Sequence, residues 1–373
     1  MNRVPLLPSG LSALNRKVKQ QDRAPHGRMD NGFAEIRPGL DGGLPIDRLC
    51  VVLASNGCDW YRRSGGCLMC NFPHKAPTVP MARDILSYSL LSSFRTQVAL
   101  FPPRQPTICI YNSGSFFSDS EVPPEVRHTI LAEAASRPNV RRIVVESRCD
   151  HLTEAKLEAA LKATGGLVRL SVGMGLETAS NEVRNKILLK GFSNVTFLRA
   201  ASLLHGRAGL VIYILVGAPF LTEAQRVADA KASIAFAQTV DAEEIYLQAC
   251  NVQPNTVIHT LWEAGQFRPP WLWTVRTVLE AGLQDGCAVP LFVFGREGTP
   301  RPVAVASNCD CCTRAAWDAL DRFNSTQQIA DLTFPDCDCR KTWTRAVSYQ
   351  IPEDMNRSGI ERSRYRGGNV GMA

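Results

Sequence analysis

The fold of this chain is decided by the stretch RLCVVLASNGCDWYRRSGGCLMCNF, residues 48–72. Residues 48–55 form an almost continuous apolar run, which is typical of a strand buried on both faces of a parallel sheet. Cys58, Cys67 and Cys70 then follow within thirteen residues. Because α/β proteins bind their ligands beyond the carboxyl ends of the strands, this order places the three thiols where a functional site is expected.

Five further apolar runs alternate with helical patterns along the chain. The predicted strands are 48–55, 107–112, 142–147, 168–175, 209–216 and 244–249. The predicted helices are 81–97, 121–136, 152–164, 180–207 in two pieces, and 222–240, the last of which begins with a capping box. Six βα repeats predict an α/β fold, and right-handed crossovers would curl the sheet into a partial (β/α)6 barrel of the TIM type.

Unusual polar or glycine-rich stretches lie at the same end of the other predicted strands. They are residues 113–119 after the second strand, Glu146 at the end of the third, residues 175–178 at the end of the fourth, and residues 217–223 after the fifth. An active site at this rim would bring all of them together.

The net charge of +7 is concentrated at the two ends of the chain. Residues 1–28 carry six basic groups and one acid, and residues 356–373 carry four and one, so residues 29–355 sum to −1. We expect 1–40 to be a basic, flexible extension, 41–250 the core, 251–350 an aromatic- and cysteine-rich subdomain, and 351–373 a basic, flexible tail. The near-neutral body favours a small substrate over RNA, which only the basic ends would attract.

The sequence contains no run of eighteen apolar residues and no clear signal peptide. We therefore expect a cytoplasmic protein without a membrane partner. In such a reducing compartment clustered cysteines indicate metal binding or catalysis, whereas the scattered ones, Cys50, Cys109, Cys149, Cys250 and Cys287, are predicted to be small buried side chains.

Two metal sites compete for the first cysteine cluster. A closed zinc site needs four ligands, and His74 could supply the fourth. A [4Fe-4S] cluster held by three thiolates would instead leave one iron free for a substrate or cofactor. The position of the loop at the rim of a predicted barrel favours the second interpretation.

The three-cysteine loop, with Phe72 two positions after Cys70, resembles that of the radical S-adenosylmethionine (SAM) enzymes. Its C-x8-C-x2-C spacing departs from the common C-x3-C-x2-C of that superfamily. The stretches 111–123, 144–154, 173–193 and 212–225 resemble one branch, the radical SAM enzyme of archaeosine synthesis and its relatives. Residues 251–273, 307–312 and 337–343 extend the resemblance, so that it spans about 45–345.

The resemblance implies a role for each motif residue. Cys58, Cys67 and Cys70 would hold a [4Fe-4S] cluster whose free iron binds SAM, and Phe72 would pack against the adenine. Ser113, Gly114 and Ser115 would hold the SAM amino group, and Glu146, Glu177 and Arg184 its ribose and carboxylate. Glu146 could instead pair with Arg148 or Arg184. A flavodoxin or ferredoxin would supply the electron.

A second cysteine cluster lies at residues 309–339. Cys309, Cys312, Cys337 and Cys339 are assigned to a second metal site, and Cys311, adjacent to Cys312, is a spare thiol because adjacent cysteines reach one metal only with strain. A structural zinc ion and an auxiliary Fe-S cluster both fit this pattern, and the sequence does not separate them.

The favoured function is a radical SAM enzyme that abstracts hydrogen from a nucleoside- or nucleotide-like small molecule. C-N cleavage, C-S bond formation and a related rearrangement are all compatible with it. One alternative is base modification within tRNA, as in archaeosine synthesis. The other is a zinc-stabilised binding protein without chemistry.

Overall fold

The computed structural model describes residues 10–21, 31–41, 44–72, 76–166, 168–297 and 301–348. One eight-stranded sheet organises them, with its strands in chain order. β1 is antiparallel to β2, and every later pair is parallel. The strands are β1 Phe33–Asp41, β2 Leu44–Val52, β3 Thr107–Tyr111, β4 Arg142–Glu146, β5 Arg169–Glu177, β6 Gly209–Val216, β7 Glu244–Ala249 and β8 Leu291–Phe294.

Helices cover the outer face of the sheet and extend beyond it. They are α1 Leu11–Gln21, α2 Asp59–Ser64, α3 Arg83–Ala99, α4 Pro124–Ala135, α5 Glu154–Ala163, α6 Asn194–Leu204, α7 Glu223–Gln238, α8 Val257–Glu263, α9 Leu272–Gln284, α10 Thr313–Thr326 and α11 Cys339–Ser348. The capping box predicted at the start of α7 forms between Thr222 and Gln225. None of the helices in the described part of the chain is long and apolar enough to cross a membrane.

The sheet is curled into a half-barrel, which confirms the predicted fold class. Arg48 on β2 donates a hydrogen bond of 2.7 Å to the hydroxyl of Tyr246 on β7, although four strands separate the two in the sheet. The six predicted strands correspond to β2 through β7. Apolar residues such as Leu49, Ile108 and Ile143 point outward and pack under the helices, because successive strand residues alternate between the two faces.

The amino-terminal end of the half-barrel is filled by charged side chains. Arg142 donates to Ser171 at 3.0 Å and pairs with Glu244, whose other carboxylate oxygen accepts from Tyr246 at 2.7 Å. Arg142 and Glu244 are the first residues of β4 and β7, and Ser171 and Tyr246 are the third residues of β5 and β7. Buried ions persist only when they are paired, and this network closes one end of the barrel and leaves the opposite rim for a site.

The organisation of the N-terminal segment differs from the prediction of a flexible extension over residues 1–40. α1 packs on the first cysteine loop, where Asn15 donates to the carbonyls of Gly65 and Gly66 at 3.1 and 3.0 Å. β1 adds an antiparallel edge to the sheet. β1 contains charged residues and Pro38, so it lacks the apolar run used to predict the other strands. Edge strands tolerate such residues.

β8 was not predicted from the sequence because it has only four residues. Its outer edge is covered by a helix instead of another strand. The side-chain amide of Asn324 on α10 accepts from the backbone N–H of Val293 and donates to its carbonyl, both at 2.8 Å. Gln327, just after α10, makes the same pair of bonds with Leu291, both at 3.0 Å. Two amides thus imitate a ninth strand and satisfy the open edge.

Replacing Asn324 by Leu should therefore loosen this edge. The backbone groups of Val293 would lose two partners at a buried position, which costs about 1–3 kcal/mol. We expect a lower midpoint of thermal unfolding and faster deuterium exchange in β8. Ser325→Ala, an exposed neighbour on the same helix, is the control and should change neither; unchanged exchange in the Asn324 variant would contradict the role given to the amide.

Candidate active site

The first cysteine loop begins after β2 and contains a short helix that explains its wide spacing. Cys58 is the N-cap of α2, and α2 ends at Gly65, which adopts a left-handed conformation with φ of 88°. The eight residues between Cys58 and Cys67 are therefore wound into a helix and a tight turn. The N–H of Cys70 donates to the carbonyl of Cys67 at 3.3 Å, so these two cysteines share one turn, and both raise the pKa of Cys58.

The loop is fixed to the segment that follows β5. The indole N–H of Trp60 donates to the carbonyl of Leu189 at 2.9 Å, and the N–H of Leu68 donates to the carbonyl of Leu188 at 3.0 Å. A Cβ at Gly191 would lie 2.3 Å from the Trp60 ring, so only glycine fits beneath it. The indole thus anchors the loop.

The thiols themselves are held in a poorly solvated place. Burial, together with the neighbouring Glu121 and Cys67, raises the pKa of Cys58 to about 12. Burial also raises the pKa of Cys70 to about 11, with Cys67 adding to the effect and Lys19 opposing it. Without a metal these two thiols stay protonated at neutral pH, so a positively charged iron group is what would stabilise their thiolate forms.

Three cations surround the thiols. Lys19 of α1 is buried and donates to the carbonyl of Cys67 at 2.5 Å; burial lowers its pKa, whereas negative charge on any of the three thiols raises it. Arg148 and Lys190 also interact electrostatically with Cys67. The guanidinium of Arg148 lies over the Trp60 ring at 4.6 Å and donates to the carbonyl of Lys190 at 2.8 Å. The donor set and the surrounding positive charge fit an iron-sulfur cluster bound by three thiolates.

A buried carboxylate that the sequence analysis missed joins the cysteine loop to the second strand end. Glu121 is fully buried, and its two oxygens accept from the backbone N–H of Asp59 at 2.9 Å and of Ser115 at 2.5 Å. Burial raises the pKa of Glu121 to about 7, although the two backbone bonds lower it. The only sequence signal was its place in the 111–123 stretch, where it was interpreted as the start of a helix.

Gly114 is required by this carboxylate. A Cβ at position 114 would lie 1.9 Å from Oε2 of Glu121 and 3.1 Å from Cα of Cys58. Ser113, just before it, has a positive φ of 56°. The residues Ser113, Gly114 and Ser115 therefore pack directly against the cysteine loop, and the glycine makes room for the loop as well as for any ligand.

Glu146 and Glu177 are the last residues of β4 and β5. Glu146 does not form the ion pair with Arg148 or Arg184 that was considered as an alternative. Glu146 hydrogen-bonds to Tyr213, and burial raises the pKa of its carboxyl to about 7. Glu177 accepts from Lys190 at 2.6 Å and has a φ of 62°, beside a register shift in β5. Strained backbone of this kind concentrates at functional sites.

Arg184 lies in a π-helical turn and is fully buried. Its guanidinium donates to the carbonyl of Leu176 at 3.0 Å, to the side chain of Asn181 at 3.1 Å and to the carbonyl of Thr178. It therefore fastens the end of β5 to the turn that follows. A contact between Arg184 and a SAM carboxylate stays a prediction.

The remaining predicted residues are distributed as follows. Phe72 is half exposed, so its ring has a free face, and His74 lies outside the described residues. Cys309, Cys312, Cys337 and Cys339 converge, with all four sulfur atoms within 4.8 Å of one another, whereas Cys311 is exposed. The prediction that these four thiols share one site therefore has the geometry it requires.

Gly114→Ala tests the junction between the Ser113–Ser115 turn and the cysteine loop. The added methyl must displace Glu121, and overpacking of this kind costs about 1–3 kcal/mol. We expect reduced iron binding after anaerobic reconstitution, measured as iron per chain. Ser113→Ala removes only a hydroxyl from the same turn and should keep its iron; a Gly114 variant with full iron would contradict the steric role.

The chain is similar to curated proteins over most of its length. Archaeosine synthase subunit beta of Methanosarcina acetivorans is 32% identical over 317 residues, which are 83% of this chain and 88% of the relative. The protein of the same name from Thermococcus kodakarensis is 30% identical over 325 residues, 82% of this chain and 93% of that one. No model of a protein family matches the chain.

Two solved structures illustrate the likeness in fold. The radical S-adenosylmethionine methyltransferase TsrM of Kitasatospora setae has 17% identity and a TM-score of 0.40 over 59% of this chain and 39% of that one. The Elp3 protein of Methanocaldococcus infernus has 15% identity and a TM-score of 0.46 over 60% and 57%. The family assignment rests on the sequence relatives: this chain belongs to the family of archaeosine synthase subunit beta.

Proposed function

We propose that this protein is a radical SAM enzyme that modifies a nucleoside, with Cys58, Cys67 and Cys70 as the ligands of a [4Fe-4S] cluster. The observation that carries the proposal is that these three cysteines lie in one loop at the rim of the half-barrel, with Lys19, Arg148 and Lys190 beside that loop. The alternative of a zinc site completed by His74 involves a residue outside the described part of the chain. Three ligands for four irons leave one iron open, as the proposal requires.

The chemistry that the group supplies when bound is one-electron reductive cleavage of SAM, giving methionine and a 5'-deoxyadenosyl radical that abstracts hydrogen. The electron must come from an external donor of the flavodoxin or ferredoxin class. The chain's own part is to position and to shield. Lys19, Arg148 and Lys190 offset the negative charge of the thiolates, and Glu121 holds the loop against the Ser113–Ser115 turn.

The filled amino-terminal end of the half-barrel supports access from the opposite rim. The paired charges of Arg142, Glu244 and Arg48 fill the opposite end. A substrate that enters from the rim would meet the cysteine loop, Glu146 and Glu177 together.

The name of the relatives bears on the substrate. Those proteins are called archaeosine synthase subunit beta, and archaeosine-type modification acts on a base within tRNA. We infer that the nucleoside here is either free or carried by tRNA, and the name favours tRNA. A subunit also implies a partner, and a partner chain would supply the RNA affinity that a body of charge −1 lacks.

Cys67→Ala should abolish cleavage of SAM. Loss of one of three thiolates leaves the cluster without a stable anchor, so we expect the iron of this site to be lost and 5'-deoxyadenosine to fall below detection after addition of SAM and dithionite. The measurements are iron per chain, the visible spectrum and chromatography of the nucleoside product. Cys287→Ala, which changes a partly buried thiol between α9 and β8, is the control.

Two outcomes would overturn this proposal. The first is a Cys67 variant that keeps four irons and still makes 5'-deoxyadenosine. The second is a wild-type protein, reconstituted with iron and sulfide, that stays colourless and binds only zinc, as a zinc-stabilised binding protein would.

Salt dependence separates the two substrate forms. If tRNA is bound through the basic N-terminal segment, Arg23→Gln with Arg28→Gln should lower affinity and reduce the slope of log affinity against log salt by about 2. Lys162→Gln with Lys231→Gln, exposed charges on the body, is the matched control. Point changes are needed because deletion of 1–28 would also remove α1 from the cysteine loop. Product formation from a free nucleoside, with no response to tRNA, would favour the small substrate.

A further inference from the structure

The four C-terminal thiols lie much closer together than the ligands of a multi-iron cluster. Cys309 and Cys312 precede α10, whereas Cys337 and Cys339 lie at the start of α11. The sulfur of Cys309 is 3.6 Å from that of Cys312 and 3.4 Å from that of Cys337. The sulfur of Cys312 is 3.5 Å from that of Cys339. These sulfur atoms are separate thiols, since a disulfide bond would hold two of them at about 2 Å.

These separations fit one tetrahedral ion. Zinc binds thiolate sulfur at about 2.3 Å, and the edge of a tetrahedron of that radius is about 3.8 Å. In a cluster of two or four irons the thiolates are divided among the irons and stand farther apart across the cluster. Here the short contacts run in an unbroken series from Cys337 through Cys309 and Cys312 to Cys339, so no division into separate groups exists.

The surroundings of the site also favour thiolates. The indole N–H of Trp273, which can only donate, points at the sulfur of Cys339 at 3.2 Å. Hydrogen bonds to the sulfur from an outer residue are a regular feature of metal sites. Cys311 is exposed and outside the group of four, which leaves four ligands and no open position.

We propose that Cys309, Cys312, Cys337 and Cys339 bind one Zn²⁺ ion in a closed, structural site. The ion would join the start of α10 to the start of α11. α10 is the helix whose Asn324 covers the open edge of β8. On the other side, Trp343 of α11 donates to Thr274 of α9 at 2.9 Å.

The zinc ion therefore holds α10 against the outer edge of β8. This role is separate from the chemistry at the first cysteine loop. It needs neither SAM nor an electron donor, so failure of one proposal leaves the other intact.

The experiment is metal analysis of the full chain, purified and reconstituted without oxygen. We expect one zinc and four irons per chain, and zinc-edge X-ray absorption should show four sulfur neighbours at about 2.3 Å. The double variant Cys337→Ser, Cys339→Ser should lose the zinc and keep the irons. Its β8 and α10 should exchange deuterium faster. Cys311→Ser, at the exposed neighbouring thiol, should keep both metals.

A measurement on the wild-type protein guards against a variant that fails to fold. Cobalt(II) exchanged into the C-terminal site should give the intense charge-transfer and ligand-field bands of a tetrahedral four-thiolate ion. The proposal is overturned if the protein holds iron in excess of four and loses that excess in the double variant. It is also overturned if zinc is absent or has nitrogen or oxygen neighbours.

Discussion

The carboxylate of Glu121 is the interaction on which the geometry of the rim depends. One oxygen accepts from the first N–H of α2, next to Cys58, and the other from the N–H of Ser115. A single buried side chain thus fixes the distance between the cysteine loop and the turn after β3. Gly114 has no side chain because that carboxylate already occupies the space. A neutral amide would not replace it well, since both backbone partners are donors and need acceptors.

The fold could be predicted from the sequence wherever burial on both faces imposed a pattern. β2 through β7 are apolar runs because a parallel sheet covered by helices leaves them no exposed face. β1 and β8 could not be predicted, for a physical reason: both lie at edges, where charge, proline and short length are tolerated. The covering of β8 by Asn324 and Gln327 leaves no periodic signal, since it depends on two amides at the end of a helix about thirty residues later in the chain.

The site was predicted unevenly for the same reason. Cysteines and glycines are recognisable because few other residues can replace them. Gly114 packs against the first cysteine loop, and the roles of Cys58, Cys67 and Cys70 as cluster ligands stay a prediction. The cations could not be predicted. Lys19 comes from a helix nearly forty residues before the loop, and the sequence analysis placed that helix in a flexible extension. The unusual eight-residue gap became intelligible only with α2, which shortens the distance that those residues span.

The two cysteine clusters use the same side chain for different purposes. At the first cysteine loop Lys19, Arg148 and Lys190 lie near the thiols, and in the proposed cluster they would offset part of the thiolate charge while one iron stays open. At the C-terminus four thiols crowd within 4.8 Å with an indole donor beside them, so one divalent ion would meet every ligand and leave nothing to react. A site with an open coordination position needs rigid surroundings, because the residues around that position must keep their places before a ligand binds. A closed site can itself supply rigidity. α10 connects the C-terminal thiols to the edge of β8, in the same sheet that carries the first cysteine loop at its rim.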